Sequence, residues 1–230
     1  MSKTSVGLIE PAYNHILSLI MTQQLQPGQK IPETKIAEQF GISRTPVRDA
    51  MRQLANEGLI EIFPNRFALV KDYSADEIRE IGTLRVSFDT TAVKLASLYG
   101  SRADFLHLVE LAEKCSNALG AQDRLTQIQH DCDFHLELAK ISRNDLLVKF
   151  QKELYLRVQF ILLTHPNSVS DEFKHVRQHF EIAEALMNYD EDLATNIIIS
   201  HLTESYGLKD QYPTDFFSSY ERPADAKPSK

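Results

Sequence analysis

Residues 41–48 read Gly41-Ile42-Ser43-Arg44-Thr45-Pro46-Val47-Arg48, and the order of residue types in this run decides the N-terminal fold. Gly41 tolerates the positive φ of a tight turn between two helices. Ser43 is placed to cap the helix that follows, accepting a bond from one of its unpaired N–H groups. Pro46 falls in the first turn of that helix, where a missing N–H is harmless. At about 100° per residue, Arg44, Thr45, Arg48 and Arg52 share one side, and Val47, Ala50, Met51 and Leu54 share the other. One face grips a domain and the other presents guanidinium forks. That is the layout of a helix that enters the major groove of DNA.

The flanking segments agree. Tyr13 to Leu25 carries Ile16, Leu17, Leu19 and Ile20 at helical spacing and is closed by Gln26-Pro27-Gly28. Pro32 to Phe40 is the helix before the turn, with Ile36, Ala37 and Phe40 on one side. After Glu57-Gly58, the runs Leu59–Phe63 and Phe67–Val70 are β-prone and flank Pro64-Asn65-Arg66, which predicts a hairpin wing with an arginine at its tip. A wing arginine is placed to enter the minor groove. A helical module with incidental surface arginines would not need turn, cap, proline and arginines to coincide. The prediction is a winged helix-turn-helix over residues 9–72, with Ser43, Arg44, Thr45, Arg48, Arg52 and Arg66 as DNA-binding residues.

With these residues in place, the segment resembles the DNA-binding domain of the GntR family of bacterial transcription regulators. The resemblance rests on Leu25-x-Pro27-Gly28-x-x-Ile31, on Ile36-Ala37-Glu38-x-x-Gly41 through Met51, and on Leu54-x-x-Glu57-Gly58-Leu59. One departure stands out: the family usually has Gly after the wing arginine, and this chain has Phe67. A side chain there disfavours a positive φ, so a wing turn of another shape is expected.

Composition bounds the remainder. A chain of 230 residues suits two domains. It has no apolar run of about 18 residues and no charged-then-apolar start, so neither a membrane span nor a signal peptide is expected. Cys115 and Cys132 form no disulfide framework, which suits a reducing bacterial cytoplasm. The net charge of −7 divides unevenly: residues 1–70 hold seven Lys/Arg and six Asp/Glu, and the rest hold 18 and 26. Phosphate attraction must then come from local arginines, and weak non-specific binding is expected.

From Ser74 the strand signal vanishes, and helices are expected over about 75–99, 102–119, 122–142, 144–163, 170–188 and 190–209. The fold class is therefore mostly α, with an N-terminal winged helix-turn-helix followed by an all-helical bundle over 75–209. Residues 210–230 are polar, carry Pro213, Pro223 and Pro228, and read as a flexible tail in which Phe216 and Phe217 could dock.

Seven of the eight histidines lie in the helical part. On the 122–142 helix, Asp131 and His135 fall on the apolar stripe of Leu125, Ile128, Leu138 and Ala139, while His130 and Asp133 project oppositely. On the 170–188 helix, a stripe of Phe173, Val176, Phe180, Ala183 and Met187 puts His179 roughly 60° from its centre and His175 roughly 100° away. His201 lies within the stripe of Leu193, Ala194, Ile197 and Leu208. Each residue alone reads as a satisfied core group. Together, a carboxylate and three imidazoles are expensive to bury unless something pairs them, and a divalent Zn, Ni, Fe or Mn ion would do so.

Residues 75–209 also resemble the all-helical effector (FCD) domain of the FadR-like branch of the same family. Its metal ligands are an Asp-x-x-x-His pair, a His opening a His-x-x-Ile-x-x-Ala-Leu run, and a His late in the last helix. The resemblance carries these onto Asp131 and His135, onto His179 before Ile182, Ala185 and Leu186, and onto His201. Arg85 lies on the stripe of Ile78, Ile81, Leu84, Phe88 and Ala92, and Arg157 on that of Leu146, Phe150, Leu154 and Ile161. An inward guanidinium needs an anion: either an internal partner, such as Asp89 for Arg85, or a ligand carboxylate over the metal. Family members commonly respond to small carboxylic acids.

The expectation is a homodimeric repressor that binds a palindromic operator in double-stranded DNA and is released by a small carboxylate effector held over a metal, with no membrane partner and no catalytic residues. The rival readings are a metalloenzyme fused to a DNA-binding domain, and a regulator whose metal is structural or is itself the signal.

Overall fold

The computed structural model describes residues 3–64, 66–166, 169–209, 211, 212, 216 and 217. The N-terminal domain packs α1 (Lys3–Met21), α2 (Glu33–Phe40) and α3 (Arg44–Asn56) against a hairpin of β1 (Ile60–Phe63) and β2 (Phe67–Val70). α1 begins well before Tyr13, runs through Pro11, and stops at Met21; the residues to Leu25 turn instead, with Gln23 at φ 56°. Ile16, Ile20, Ile36, Val47, Ala50, Leu54, Leu59 and Val70 fill one apolar core. Removing such side chains from water is what holds so small a module together. The hairpin is antiparallel, with Phe63 opposite Phe67 and Ile60 opposite Val70.

The helical domain contains α4 (Ala75–Tyr99), α5 (Arg102–Gly120), α6 (Arg124–Ile141), α7 (Asp145–Thr164), α8 (Val169–Met187) and α9 (Glu191–Ser205). Its boundaries are set by capping chemistry. Ser74 with Glu77 and Ser101 with Asp104 form capping boxes, and Asp123, Asn144 and Asp190 each accept a bond from a first-turn N–H. α5 packs on α6 and α8, α4 on α9 and α6, and α7 on α6. Helices α6, α8 and α9 thus turn inner faces toward one place in the bundle. No described helix is long and apolar enough to cross a membrane.

The two domains touch. Tyr73 donates from its hydroxyl to the Gly58 carbonyl (2.7 Å) and sets its ring beside Phe160, and Gln23 Nε2 donates to the Leu163 carbonyl (3.1 Å). Of the expected tail, Tyr212 and Phe217 pack against the core, with Tyr212 Oη 3.0 Å from Thr83 Oγ1. Residues 210, 213–215 and 218–230 lie outside the described residues, as does Asn65 of the wing tip.

Candidate DNA-reading face and metal centre

The turn between α2 and α3 is made by Gly41 at φ 62°, ψ 31°, with the Ile42 N–H bonded back to the Ala37 carbonyl. A left-handed residue here lets α3 leave at a steep angle, a conformation that glycine adopts at least cost. Pro46, Val47, Ala50, Met51 and Leu54 are buried; Arg44, Arg48 and Arg52 keep more than half of each side chain exposed, at 54%, 53% and 68%. Thr45 and Arg66 are exposed as well. Ser43 differs from the expectation. It holds the N-cap backbone position, φ −71° and ψ 165°, but its hydroxyl makes no capping bond.

One carboxylate organises the arginines. Glu33, at the start of α2, accepts from Arg44 Nε (2.7 Å) and Arg48 Nε (2.8 Å). Partial burial pushes the Glu33 carboxyl up, but the two guanidinium partners outweigh that and hold it below its usual range. Among the described residues each guanidinium is bonded through Nε alone, and each side chain stays more than half exposed. Arg44, Arg48, Arg52 and Arg66 line a cleft between α3 and the wing. Phe67 sits inside β2, packs its ring 4.9 Å from that of Phe63, and is absent from the positive-φ residues.

The second constellation is buried in the bundle. Asp131 and His135, one turn apart on α6, meet His179 of α8 and His201 of α9, and one donor atom from each lies within 4.8 Å of all the others. His179 Nε2 is 3.4 Å from Asp131 Oδ1, and His135 Nδ1 is 3.4 Å from Asp89 Oδ2. Neither contact has hydrogen-bond geometry: both ring nitrogens of His135 and of His179 are buried without a hydrogen-bond partner. Leaving such groups unpaired costs about 1–3 kcal/mol each, and a cation at the centre would remove that cost. Protonation fits as well. Burial, and for His201 the neighbouring imidazoles, push His179 and His201 down, the direction that favours a neutral ring with a lone pair to give. Burial pushes the Asp131 carboxyl up, but His179, His135 and Arg85 outweigh it and hold Asp131 well below the usual range. A three-nitrogen, one-carboxylate donor set suits Zn, Ni, Fe or Mn.

Behind the donors stand Asp89, expected only as a partner of Arg85, and Gln151 and Gln178, which sequence reasoning missed. Asp89 accepts from Gln151 Nε2 (2.6 Å) and faces His135; Gln178 Oε1 is 3.2 Å from His201 Nδ1. Partners of this kind fix the ring and tautomer of a metal-binding histidine. His175 corrects an expectation. It does not stand off the inward face; it is buried, with Nδ1 3.2 Å from His201 Nδ1. Phe173, used to centre the stripe, is 60% exposed, and the buried face runs through Val176, His179, Ile182, Ala183 and Leu186 instead.

The predicted arginines part company. Arg85 lies in the bundle, 3% exposed, donating from Nη1 to Tyr206 Oη (3.0 Å) with Nε 3.5 Å from Asp89 Oδ2. It also lines a small cavity of about 30 Å³ beside Asp131 and His201, so it has an internal carboxylate partner and faces the cavity as well. Arg157 is nowhere near it. Its guanidinium lies against Gly58 in the DNA-binding domain, so close that a Cβ on Gly58 would fall 2.4 Å from Nε. It lines a separate cleft of about 630 Å³ with Gln53, Asn56, Leu84, Phe88 and Phe150. The stripe that placed Arg157 inward is mixed: Leu146 is 66% and Phe150 46% exposed, Leu154 is half-buried and Ile161 is buried, while Leu147, Gln151 and Val158 form the buried side, and Arg157 itself is half-buried with its Nε out of water. Arg124, Gln127, Glu172 and Ser205 complete the metal-side cavity. Arg124 could have been found, since Arg124, Gln127, Asp131 and His135 fall on one α6 face.

Comparison with known proteins places both halves. Residues 8–70 match the family model "Bacterial regulatory proteins, gntR family", and residues 80–204 match the FCD domain. The Uxu operon regulator of Haemophilus influenzae is 28% identical over 227 residues, covering 88% of this chain and 83% of its own. The HTH-type transcriptional repressor RspR of Escherichia coli is 26% identical over 200 residues, covering 84% and 86%. Among solved structures, E. coli McbR/YncC superposes with a TM-score of 0.69 at 23% identity, over 92% of this chain and 99% of that one.

Proposed function

Because the chain belongs to the GntR family of bacterial regulatory proteins, with an FCD domain behind its DNA-binding domain, we propose that it is a homodimeric, metabolite-responsive repressor of the bacterial cytoplasm. A small carboxylate bound over a divalent metal ion changes its affinity for a palindromic operator. The observation that carries this reading is the buried cluster of Asp131, His135, His179 and His201, with orphaned imidazole nitrogens, opening onto a cavity that Arg85 lines. The metal would supply a fixed charge and an open coordination position. Arg85 would take the other side of the carboxylate. Its named relatives regulate transcription, which supports a regulator over a metalloenzyme.

The test is metal content and thermal midpoint together. His179→Ala and His201→Ala are expected to lose both, because a metal bound only by the folded state stabilises it by about 3–4 kcal/mol at 100–1,000 times its Kd. His130→Ala should change neither. If His179→Ala and His201→Ala retain full metal content, the cluster is not the site.

A dimer is supported by apolar residues that one chain leaves uncovered. Leu84 and Leu98 on α4 and Leu146 and Phe150 on α7 are each 46–68% exposed, and Phe88 stacks on Phe150. Two adjacent helices with an apolar outer face suit a two-fold contact, and a two-fold protein matches a palindromic site. Leu84→Glu with Phe150→Glu is expected to give a monomer by sedimentation and to lose operator binding. A dimer in that double variant would place the contact elsewhere.

A further inference from the structure

The metal-side cavity, which at about 30 Å³ holds only a water or two and must widen to admit a ligand, has a second charged end. Its wall runs from Arg85, Asp131 and His201 to Arg124 and Glu172. Arg124 and Asp131 are seven positions apart on α6, about 10 Å along the axis. Arg124 resembles a fork for a second ligand carboxylate, but three protein acceptors already engage it. Nη1 donates to Glu172 Oε1 and to Gln127 Oε1 (3.0 Å), and Nη2 donates to the Leu162 carbonyl (3.0 Å). The ion pair is largely withdrawn from water, with side-chain exposures of 29% for Arg124 and 14% for Glu172. Charge separation is felt more strongly in such a place than at the surface.

We propose that Glu172 selects the charge of the effector, so that the cavity takes a monocarboxylic acid and discriminates against dicarboxylic acids. This rests on the reading above, that a metal ion and a carboxylate share the cavity. Two guanidinia, Arg85 and Arg124, face three carboxylates, Asp89, Asp131 and Glu172, in and just behind its wall. A divalent ion leaves one positive charge over, and one ligand carboxylate balances it. A second carboxylate, reaching outward, would find Arg124 already taken and Glu172 beside it. Without the Glu172 charge, two positive charges are left over and Arg124 is freed to receive that second carboxylate.

Calorimetric titration of the metal-loaded, full-length protein tests this with four-carbon acids: butanoate against succinate, and 2-hydroxybutanoate against malate. Within each pair the outer end carries a methyl group or a carboxylate. The wild type is expected to favour the monoanion of each pair by about tenfold, and Glu172→Gln to cancel or invert that ratio. Glu172→Gln keeps an oxygen for Arg124, and an unchanged thermal midpoint and metal content would show that its fold is kept; Glu172→Ala is the second variant. Tighter binding of the dianions by the wild type, or a ratio that neither variant moves, overturns the charge filter while leaving the carboxylate site standing. Failure of all four acids to bind overturns the proposed carboxylate site and the charge filter with it.

Discussion

Arg48→Ala is expected to reduce specific operator affinity by roughly ten- to a hundredfold and to relax sequence preference at one base pair of each half-site, since one bidentate arginine–base contact discriminates by about 1–3 kcal/mol. The expectation comes from how α3 is mounted. Its apolar face, from Val47 to Leu54, is locked into the domain core, so the opposite face has no freedom to rotate away from DNA. Glu33 holds Arg44 and Arg48 through Nε, which aligns the two forks before DNA arrives. Arg44→Ala should weaken binding in the same assay, and Arg66→Ala less, because Arg66 stands on the wing. Glu33→Gln separates alignment from charge. Losing a carboxylate beside the phosphates should raise affinity for unrelated DNA, while the loosened forks lower the ratio of operator to unrelated binding. Fluorescence anisotropy on operator and scrambled duplexes at two salt concentrations measures both. Full operator affinity in Arg44→Ala and Arg48→Ala proteins of intact fold would remove α3 from the groove.

α3 was readable because its two faces differ without ambiguity, and because turn, proline and arginines each limit the geometry independently. The six C-terminal helices lie within a few residues of the expected bounds, and five of them open on a side chain that caps: Ser74, Ser101, Asp123, Asn144 and Asp190. Rotation about the helix axis was harder. On α7 the apolar residues Leu146 and Phe150 face outward while Gln151 and Gln159 are buried. Equating apolar with inward therefore sent Arg157 toward the metal-side cavity, whereas its Nε is buried against Gly58 of the DNA-binding domain. A helix with one face in a core and another available to a partner carries two apolar stripes, and periodicity cannot rank them. α8 erred in the same sense through Phe173, which hid His175. The Arg124–Glu172 pair joins residues 48 positions apart. Nothing local in the sequence announces such a pairing.

Binding of a small carboxylate to the metal-loaded dimer is expected to weaken operator affinity by about 5- to 150-fold, a coupling of about 1–3 kcal/mol. Arg157→Ala should remove most of that response while leaving the ligand's own affinity intact. The route is short. α7 carries Leu162 in the cavity wall, with the Leu162 carbonyl bonded to Arg124. Five residues earlier, Arg157 lies against Gly58, two residues past the end of the recognition helix and at φ 83°. The next residue after Leu162, Leu163, accepts the bond from Gln23 of the DNA-binding domain. A ligand that shifts α7 therefore moves two supports of that domain at once, and with them the spacing of recognition helices across a dimer. It does so only if it binds one geometry better than the other. Arg85→Ala separates the steps, since it should lose ligand binding yet keep ligand-free operator affinity. Gly58→Ala should act in the same direction, because its Cβ would fall against both the Arg157 guanidinium and the Tyr73 hydroxyl and its φ of 83° strains any side chain there. Coupling free energies are reciprocal, so operator DNA must weaken ligand binding by the same factor. Titrating ligand into the protein with and without saturating operator gives that factor directly. A full response in both Arg157→Ala and Gly58→Ala would show that the signal reaches the DNA by another route, with rearrangement of the dimer contact as the remaining one.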